Sequence, residues 1–367
     1  MDKKKSVLLV FGTRPEAIKL VPLINKLKNS INISLHICAS AQHRQMLDSV
    51  LQEYEILPDF DLDVMKPSQS LDYVTEEVLR GVSGILDELT PDLVIVQGDT
   101  STAFAAALSA FYKQIPIAHV EAGLRSGSIY SPFPEEFNRR AISLMTTYHF
   151  APTERARAAL ISEGVADSRI SVVGNTAIDM LVRDLQRDVS SPLWEKTGGQ
   201  KYAVITLHRR EHSIDELCGI LIAIKRIFEK HTNIKAVYPL HKNPLIKGLA
   251  EDMLCEAENI LLCEPLGSAE FHALLSRSCA VLTDSGGIQE EAAYLGIPTL
   301  VLRDNTERAE GVESGNLFVV GTDPENVFKS ADTLFDHIEC GNIKLKPSFV
   351  FGDGHASEKI VEFIEKL

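Results

Sequence analysis

The sequence predicts an α/β protein made of two halves, each a doubly wound parallel sheet, and three observations predict it. Short β-branched apolar runs alternate with amphipathic helical stretches from end to end. The runs are continuously apolar, as strands covered by helices on both faces must be. At 367 residues the chain also exceeds what one hydrophobic core usually serves, so two domains are expected.

In order, SVLLVFG leads into the helical PEAIKLVPLINKLKN, and ISLHICA into HRQMLDSVLQEY. DLVIVQGD precedes STAFAAALSAFYK, and IPIAHVEAG precedes a loop and the helical EEFNRRAISLM. YHFAPT and RISVVGNTAIDML close the first half. A less regular span follows, DLQRDVSSPLWEKTGGQK, whose Ser-Ser-Pro and Gly-Gly breaks mark a junction between about 165 and 200. The alternation then restarts with YAVITLH, IKAVYPLH, ENILLCEP, AVLTDSGG, PTLVLRD and NLFVVGTD, the first four each followed by a helix.

Composition narrows the function. With 45% hydrophobic and 24% charged residues the chain reads as a soluble globular protein. A formal net charge of −14 argues against a polyanionic partner such as nucleic acid, while leaving room for a local positive pocket. The six cysteines, Cys38, Cys218, Cys255, Cys263, Cys279 and Cys340, include no C-x-x-C pair and suit thiols in a reducing compartment. The apolar run near the start is too short for a signal segment and no run is long enough to span a membrane, so a cytoplasmic location without a membrane partner is expected.

In open parallel sheets, ligands sit beyond the carboxyl ends of the strands. The residues at those places are mostly charged or of phosphate-binding type: Gly12, Thr13 and Arg14; Gly98, Asp99 and Thr100; Glu121, Ala122 and Gly123; His208 to Glu211; His241 and Lys242; Asp284 to Gly287; Arg303 and Asp304. Arg14 and Lys19 offer fixed positive charge. Asp99, Glu121 and Glu135 come from neighbouring loops and are candidate acid–base groups. Asp99 has a second reading as the N-cap of the STAFAAALSAF helix, and Glu135 and Glu136 one as first-turn acids. Ser285, Gly286 and Gly287 read either as the opening of a well-capped surface helix or as a phosphate seat, with Glu290 and Glu291 beside it.

Several chemistries are disfavoured by missing motifs. Neither G-x-G-x-x-G nor G-x-x-x-x-G-K-[ST] occurs, which speaks against a hydride-transfer cofactor and a P-loop. The absence of H-E-x-x-H, of Cys/His spacing and of G-x-S-x-G disfavours a metal site and a serine hydrolase. No cofactor is expected.

The blocks FGTRPEAIK, AQHRQMLD, VQGDTSTAFAAALSAFY, HVEAGLRSG, YSPFPEEFNRR, VVGNTAID, HRRE, YPLHKNP, LTDSGGIQEEA, LRDNTER and FGDGHAS occur in that order across nearly the whole chain. Together they resemble the bacterial non-hydrolysing UDP-N-acetylglucosamine 2-epimerases. The resemblance implies two Rossmann-like domains of the glycosyltransferase-B type with a cleft between them, and a homodimer. The implied boundaries are 1–171 for the first domain, with a C-terminal helix at about 355–367 packing back on it, and 172–354 for the UDP-binding domain.

The resemblance also implies residue roles. Lys19, Asp99, Glu121, Glu135, Arg139 and His208 match the family's chemistry-bearing positions. Ser285, Gly286 and Gly287 match the diphosphate seat, Arg14 a charge that supports it, Glu291 a ribose contact and Phe271 a uracil contact. Gln42, Gln45, Arg209 and His241 match a second, activating substrate site found in some members, although Ser68 stands where those members carry Arg. The implied reaction expels UDP while removing the C2 proton, leaving 2-acetamidoglucal, and then re-adds UDP with protonation on the other face. The alternatives are a hydrolysing 2-epimerase, a 2-epimerase of another UDP-N-acetyl sugar, a glycosyltransferase of the same fold and a non-catalytic UDP-sugar sensor. The chain departs from the family's pattern at His212, Ser213 and Ile214, where Asn and a Gly usually follow HRRE, and more mildly at Asn305 and Ala309.

Overall fold

The structure, a computed structural model, describes residues 4–41, 44–66, 69–207, 212–241, 243–343 and 345–367. It divides into two compact units, Met1–Met180 with Gly352–Leu367, and Leu181–Phe351.

The first unit runs β1 (Lys5–Phe11), α1 (Arg14–Asn29), β2 (Ile33–Ala39), α2 (Arg44–Glu53), β3 (Phe60–Asp61) and α3 (Leu71–Leu89). It continues with β4 (Leu93–Gln97), α4 (Ser101–Tyr112), β5 (Ile117–Val120), α5 (Glu135–Met145), β6 (Tyr148–Ala151), α6 (Glu154–Ser162), β7 (Ile170–Val172) and α7 (Thr176–Leu185), whose last turn enters the second unit. The second unit holds α8 (Pro192–Thr197), β8 (Lys201–Thr206), α9 (Ile214–Lys230), β9 (Ile234–Pro239), α10 (Pro244–Leu254), β10 (Ile260–Cys263) and α11 (Ser268–Ser276). Its remaining elements are β11 (Ala280–Thr283), α12 (Gly286–Leu295), β12 (Thr299–Val301), α13 (Ala309–Glu313), β13 (Leu317–Val319) and α14 (Pro324–Glu339). The last helix, α15 (Ala356–Lys366), returns to the first unit.

Both sheets are parallel throughout, as the unbroken apolar runs predict. Among the described residues the first has the order β3-β2-β1-β4-β5-β6-β7 and the second β10-β9-β8-β11-β12-β13. Each order reverses once, between β1 and β4 and between β8 and β11. Those are the switch points where a doubly wound sheet leaves a crevice for ligands.

Local chemistry explains the helix starts that frame the first crevice. Thr13 caps α1, with Pro15 and Glu16 in its first turn and Lys26 and Lys28 in its last, as the helix dipole favours. Thr100 caps α4 by accepting a hydrogen bond from the Ala103 amide. A Cβ on Gly12 would lie 2.3 Å from Thr102 Oγ1 and 2.4 Å from Ser40 Oγ, so only glycine lets the end of β1 approach α4 this closely. The junction expected to be irregular contains a short helix, α8, opened by Ser191 and Pro192.

The C-terminal helix is tied down by a side chain far away in sequence. Asp179 accepts hydrogen bonds from the Ala356 and Ser357 amides at 3.0 and 2.6 Å, capping α15 in the way a local N-cap residue would. Ala356, Ile360 and Ile364 then join the core formed by α1 and the strands, while Lys26 pairs with Glu358 at the rim. In the second unit, His231 lies between Asp332 (2.9 Å) and Glu339 (3.1 Å), joining the end of α9 to α14. Among the described residues, no helix is long and apolar enough to cross a membrane.

Two buried histidines set an acid limit. His119 on β5 and His149 on β6 are register partners and almost wholly buried. Burial pulls His119 down to about 4, against a hydrogen bond with the Gly98 carbonyl, and pulls His149 down to about 3. Neither ring nitrogen of His149 has a hydrogen-bond partner among the described residues. The folded state stays neutral at His149 where the unfolded chain takes up a proton below about 6.5, so stability falls as pH drops through that window. We expect His149→Phe to gain stability relative to the parent by about 2 kcal/mol at pH 4.5, with no such gain above pH 7, measured by urea unfolding at both pH values.

Candidate active site

The side chains gathered at the switch point of the first unit come from five segments. Glu121 follows β5 with φ of +67°, in the left-handed region, and is buried. That conformation is uncommon for a residue with a Cβ, and here it accompanies a carboxylate ringed by donors. Lys19 Nζ from α1 lies 2.7 Å from both carboxylate oxygens. Asn175 Nδ2 donates to Oε1 at 3.1 Å, and Gln97 Nε2, at the end of β4, donates to Oε2. Each of these three groups is a donor, and an ionised carboxylate accepts from such groups.

Asp99 is not the cap of α4, because Thr100 fills that role. Its carboxylate is instead held by Arg139 of α5, with Nε at 2.8 Å and Nη2 at 2.7 Å from Oδ2. Asn138 donates to the Asp99 carbonyl at 2.8 Å, so adjacent residues of α5 grip both ends of Asp99. Glu135 and Glu136 do lie in the first turn of α5. Glu136 does more than complement the dipole: fully buried, it receives Arg139 Nη1 (3.2 Å), Arg140 Nε (3.1 Å) and the Ser126 amide (3.0 Å). Glu135 stays half-buried at the helix start.

Arg14 opens α1 immediately after the cap. Two residues on, Glu16 is buried and accepts from the Gly12 amide (3.1 Å), the Thr13 amide (2.8 Å) and Thr100 Oγ1 (2.8 Å). Burial raises its pKa to about 7 despite those hydrogen bonds. Glu16 therefore joins the starts of α1 and α4, the two helices at the switch point. The T-x-x-E spacing of a capping box was a signal for it in the sequence.

In the second unit, Ser285 is the N-cap of α12, and Gly286 and Gly287 are its first two residues. Glu290 and Glu291 lie beyond the first turn, so dipole complementation does not account for them. Glu290 is buried against Arg308, whose Nε is 2.9 Å from its carboxylate. The Arg308 guanidinium lies behind the helix start, where a Cβ on Gly286 would come within 2.9 Å of its Cζ. Glu307 stands 3.5 Å from Arg308 and 3.0 Å from Arg303, and these cations, prevailing over burial, bring it down to about 2.

Glu291 points elsewhere, toward His272, at 3.5 Å. Its Oε2 is buried and without a hydrogen-bond partner among the described residues. Phe271, half-buried, packs on the cores at either side of α11. Asp284, which ends the apolar run before Ser285, is buried with His212 Nε2 3.4 Å away, so the departure at His212 faces the residue that precedes the helix cap.

The structure thus brings together Lys19, Asp99, Glu121 and Arg139 in one unit, and Ser285, Gly286, Gly287, Glu291 and Phe271 in the other. His241 is exposed after β9 and accepts from the Asn243 amide at 3.1 Å. Gln42, Ser68, His208 and Arg209 lie outside the described residues, as does the Gln45 side chain. Sequence reasoning missed Glu16, Gln97, Asn138, Asn175, Asp184, His272 and Arg308 as members of these groups. Glu16, with its capping-box spacing, and Gln97, Asn138, Asn175 and Arg308 lie inside the motif blocks without standing out there, and Asp184 and His272 lie in none, because each acts through a partner remote in sequence.

Paired carboxylates at one switch point and a glycine-opened helix start at the other are what an enzyme acting on a nucleotide sugar needs: proton-transfer groups and an anion seat. Comparison with known proteins makes this particular. The UDP-N-acetylglucosamine 2-epimerase family model matches residues 25–365. The UDP-N-acetylglucosamine 2-epimerase of Bacillus subtilis strain 168 is 44% identical over 360 residues, covering 98% of this chain and 95% of its own. A crystal structure of UDP-GlcNAc 2-epimerase from Neisseria meningitidis bound to UDP-GlcNAc superposes with a TM-score of 0.92 at 41% identity, covering 99% of this chain and 100% of that one. The Methanocaldococcus jannaschii enzyme in complex with UDP-GlcNAc and UDP gives 0.86 at 34% identity, again over 99% and 100%. The chain belongs to the UDP-N-acetylglucosamine 2-epimerase family, and its two parallel-sheet units are of the glycosyltransferase-B type.

Removing Arg308 leaves Glu290 buried without its cation. We expect Arg308→Met to cost about 3–5 kcal/mol in denaturant unfolding, and the double variant with Glu290→Gln to recover most of the loss.

Proposed function

We propose that the protein inverts C2 of UDP-N-acetylglucosamine reversibly, giving UDP-N-acetylmannosamine, without releasing free sugar. The observation that carries this reading is the pair of cation-held carboxylates, Glu121 with Lys19 and Asp99 with Arg139, at the first switch point of a chain in this family.

The chemistry follows from the substrate. Its anomeric carbon is locked as a glycosyl phosphate, so no carbonyl acidifies the C2 proton. Elimination avoids that difficulty. A carboxylate takes the C2 proton, the C–H electrons form a C1–C2 double bond, and the C1–O bond breaks with its electron pair leaving on UDP. The intermediate is 2-acetamidoglucal. UDP then adds back to C1 while a proton reaches C2 from the opposite face. We assign the proton transfers to Asp99, Glu121 and Glu135, with Lys19 and Arg139 orienting two of them. Arg14, His208 and the Ser285–Gly287 amides stabilise the departing diphosphate, Glu291 accepts the ribose hydroxyls, and Phe271 packs on uracil. Loss of any one of the three acids removes a group that acts only in the transition state, so kcat falls with little change in nucleotide affinity.

In deuterated water with UDP-N-acetylglucosamine, proton NMR should show UDP-N-acetylmannosamine carrying deuterium at C2. Free N-acetylmannosamine with UDP would instead establish a hydrolysing enzyme.

We also infer a homodimer. The first unit exposes Phe111 (52%), Phe137 (48%) and Leu144 (84%) on α4 and α5. Phe104 and Phe111 are seven residues apart, as are Phe137 and Leu144, so each pair lies on one helix face. The Phe104 and Phe137 rings, 5.9 Å apart, join the two faces into one apolar stripe suited to a second copy. Leu144→Glu should shift sedimentation velocity toward the monomer by at least about tenfold in dissociation constant, the cost of an interfacial charge.

A further inference from the structure

We propose that His272 is a positioning residue: held between Asp184 and Glu291, it aims the Glu291 carboxylate so that one oxygen stays open for the paired hydroxyls of a ribose. This rests on the UDP-sugar reading above and assigns a residue that the reaction itself does not call upon.

Two buried groups and a partly buried one, from different elements, form the line. Asp184, in the last turn of α7, is fully buried. It receives Ser268 Oγ at 2.9 Å and lies 2.8 Å from His272 Nδ1, with Arg187 3.7 Å from its other oxygen. His272, on α11 and 4% exposed, presents Nε2 to Glu291 Oε1 at 3.5 Å. Each ring nitrogen faces a carboxylate, and only an imidazolium can donate to both. Burial pulls the imidazole down, but the Glu291 charge and the Asp184 hydrogen bond prevail and raise it to about 9. His272 is therefore a buried cation whose position Asp184 and Ser268 fix.

The consequence falls on Glu291. Its Oε1 is committed to His272, and its buried Oε2 has no hydrogen-bond partner among the described residues. A buried carboxylate oxygen is costly unless a donor reaches it, so the site is made for a ligand that brings hydroxyls. Helix geometry says where that ligand lies. Glu291 is four residues after Gly287 on α12, and helix side chains lean toward the N-terminus, so the carboxylate reaches back along the face of Gly287. A Cβ placed on Gly287 would meet nothing within 4 Å, so that face is open. Amides for an anion and a carboxylate for a diol sit one turn apart, about 5 Å along the axis, which matches a nucleoside diphosphate.

The test is calorimetric binding of UDP and 2′-deoxy-UDP to the full chain. Wild type should prefer UDP by about tenfold or more, the size of a hydrogen bond to a charged group. In His272→Gln the preference should shrink to about twofold or less while 2′-deoxy-UDP binds within about threefold of wild type, which also shows that the seat is folded. Asp184→Asn, which loosens the imidazolium without touching Glu291, should shrink the preference part of the way. A preference retained in His272→Gln, or equal loss of both nucleotides, overturns the proposal. Failure of the wild type to bind UDP at all overturns the nucleotide reading, and the proposal with it.

Discussion

Taking a carboxylate out of water is the cost around which this protein is arranged. An ionised acid in a low-dielectric interior has to be met by cations or hydrogen-bond donors, or it gives up its charge. Glu121 is met by Lys19, Gln97 and Asn175; Asp99 by Arg139; Glu136 by two arginines and an amide; Glu290 by Arg308. Glu16, met by two amides and a hydroxyl and, among the described residues, by no cation, is the one whose pKa burial lifts to about 7. Most of the pairings also set geometry, because the partner comes from another segment and fixes one loop against another; the arginines of Glu136, on its own helix, are the exception.

The sheets make that arrangement possible. A parallel strand delivers all its following loops to one edge, and the reversal of strand order opens a gap between two of them. Beside the first gap, α1 brings Lys19 and Glu16, while the loop after β4 brings Asp99 and Thr100. The loop after β5 brings Glu121, and α5 returns with Arg139. None of the four segments could present this chemistry alone. Gly12 matters for the same reason: without a side chain it lets β1 end against α4, drawing the two helix starts together.

The second unit uses the same plan for a different purpose. Its helix start carries no acid in the first turn, which leaves the amides of α12 available to an anion. Arg308 stands behind that helix start with its charge met by Glu290 and Glu307, so these pairs fix the start in place without adding net positive charge to it. On the neighbouring face, His272 and Asp184 prepare Glu291. One unit thus gathers carboxylates held by cations, the other a glycine-opened helix start beside a carboxylate that a buried histidine faces.

The alternation of apolar runs and helical stretches was enough to predict parallel sheets and two α/β halves, because burial on both faces leaves no room for a polar register. The ordered motif blocks pointed to the family, which the comparisons bear out. The strand-end residues were visible as candidates for the same reason: a charged residue after an apolar run stands out. What each does was not visible. Asp99 had a capping role open to it until Thr100 took that role in the structure, and Glu290 and Glu291, side by side in sequence, turn to different partners, Arg308 and His272. His272 and Asp184 fall in no motif block and Asn175 and Gln97 do not stand out within theirs, since their meaning lies in a partner that folding brings near. Local hydrophobic pattern was enough to say which apolar runs are buried strands and which strand ends carry charge. Only the tertiary structure decided which charges pair, because pairing depends on distances that chain separation does not encode.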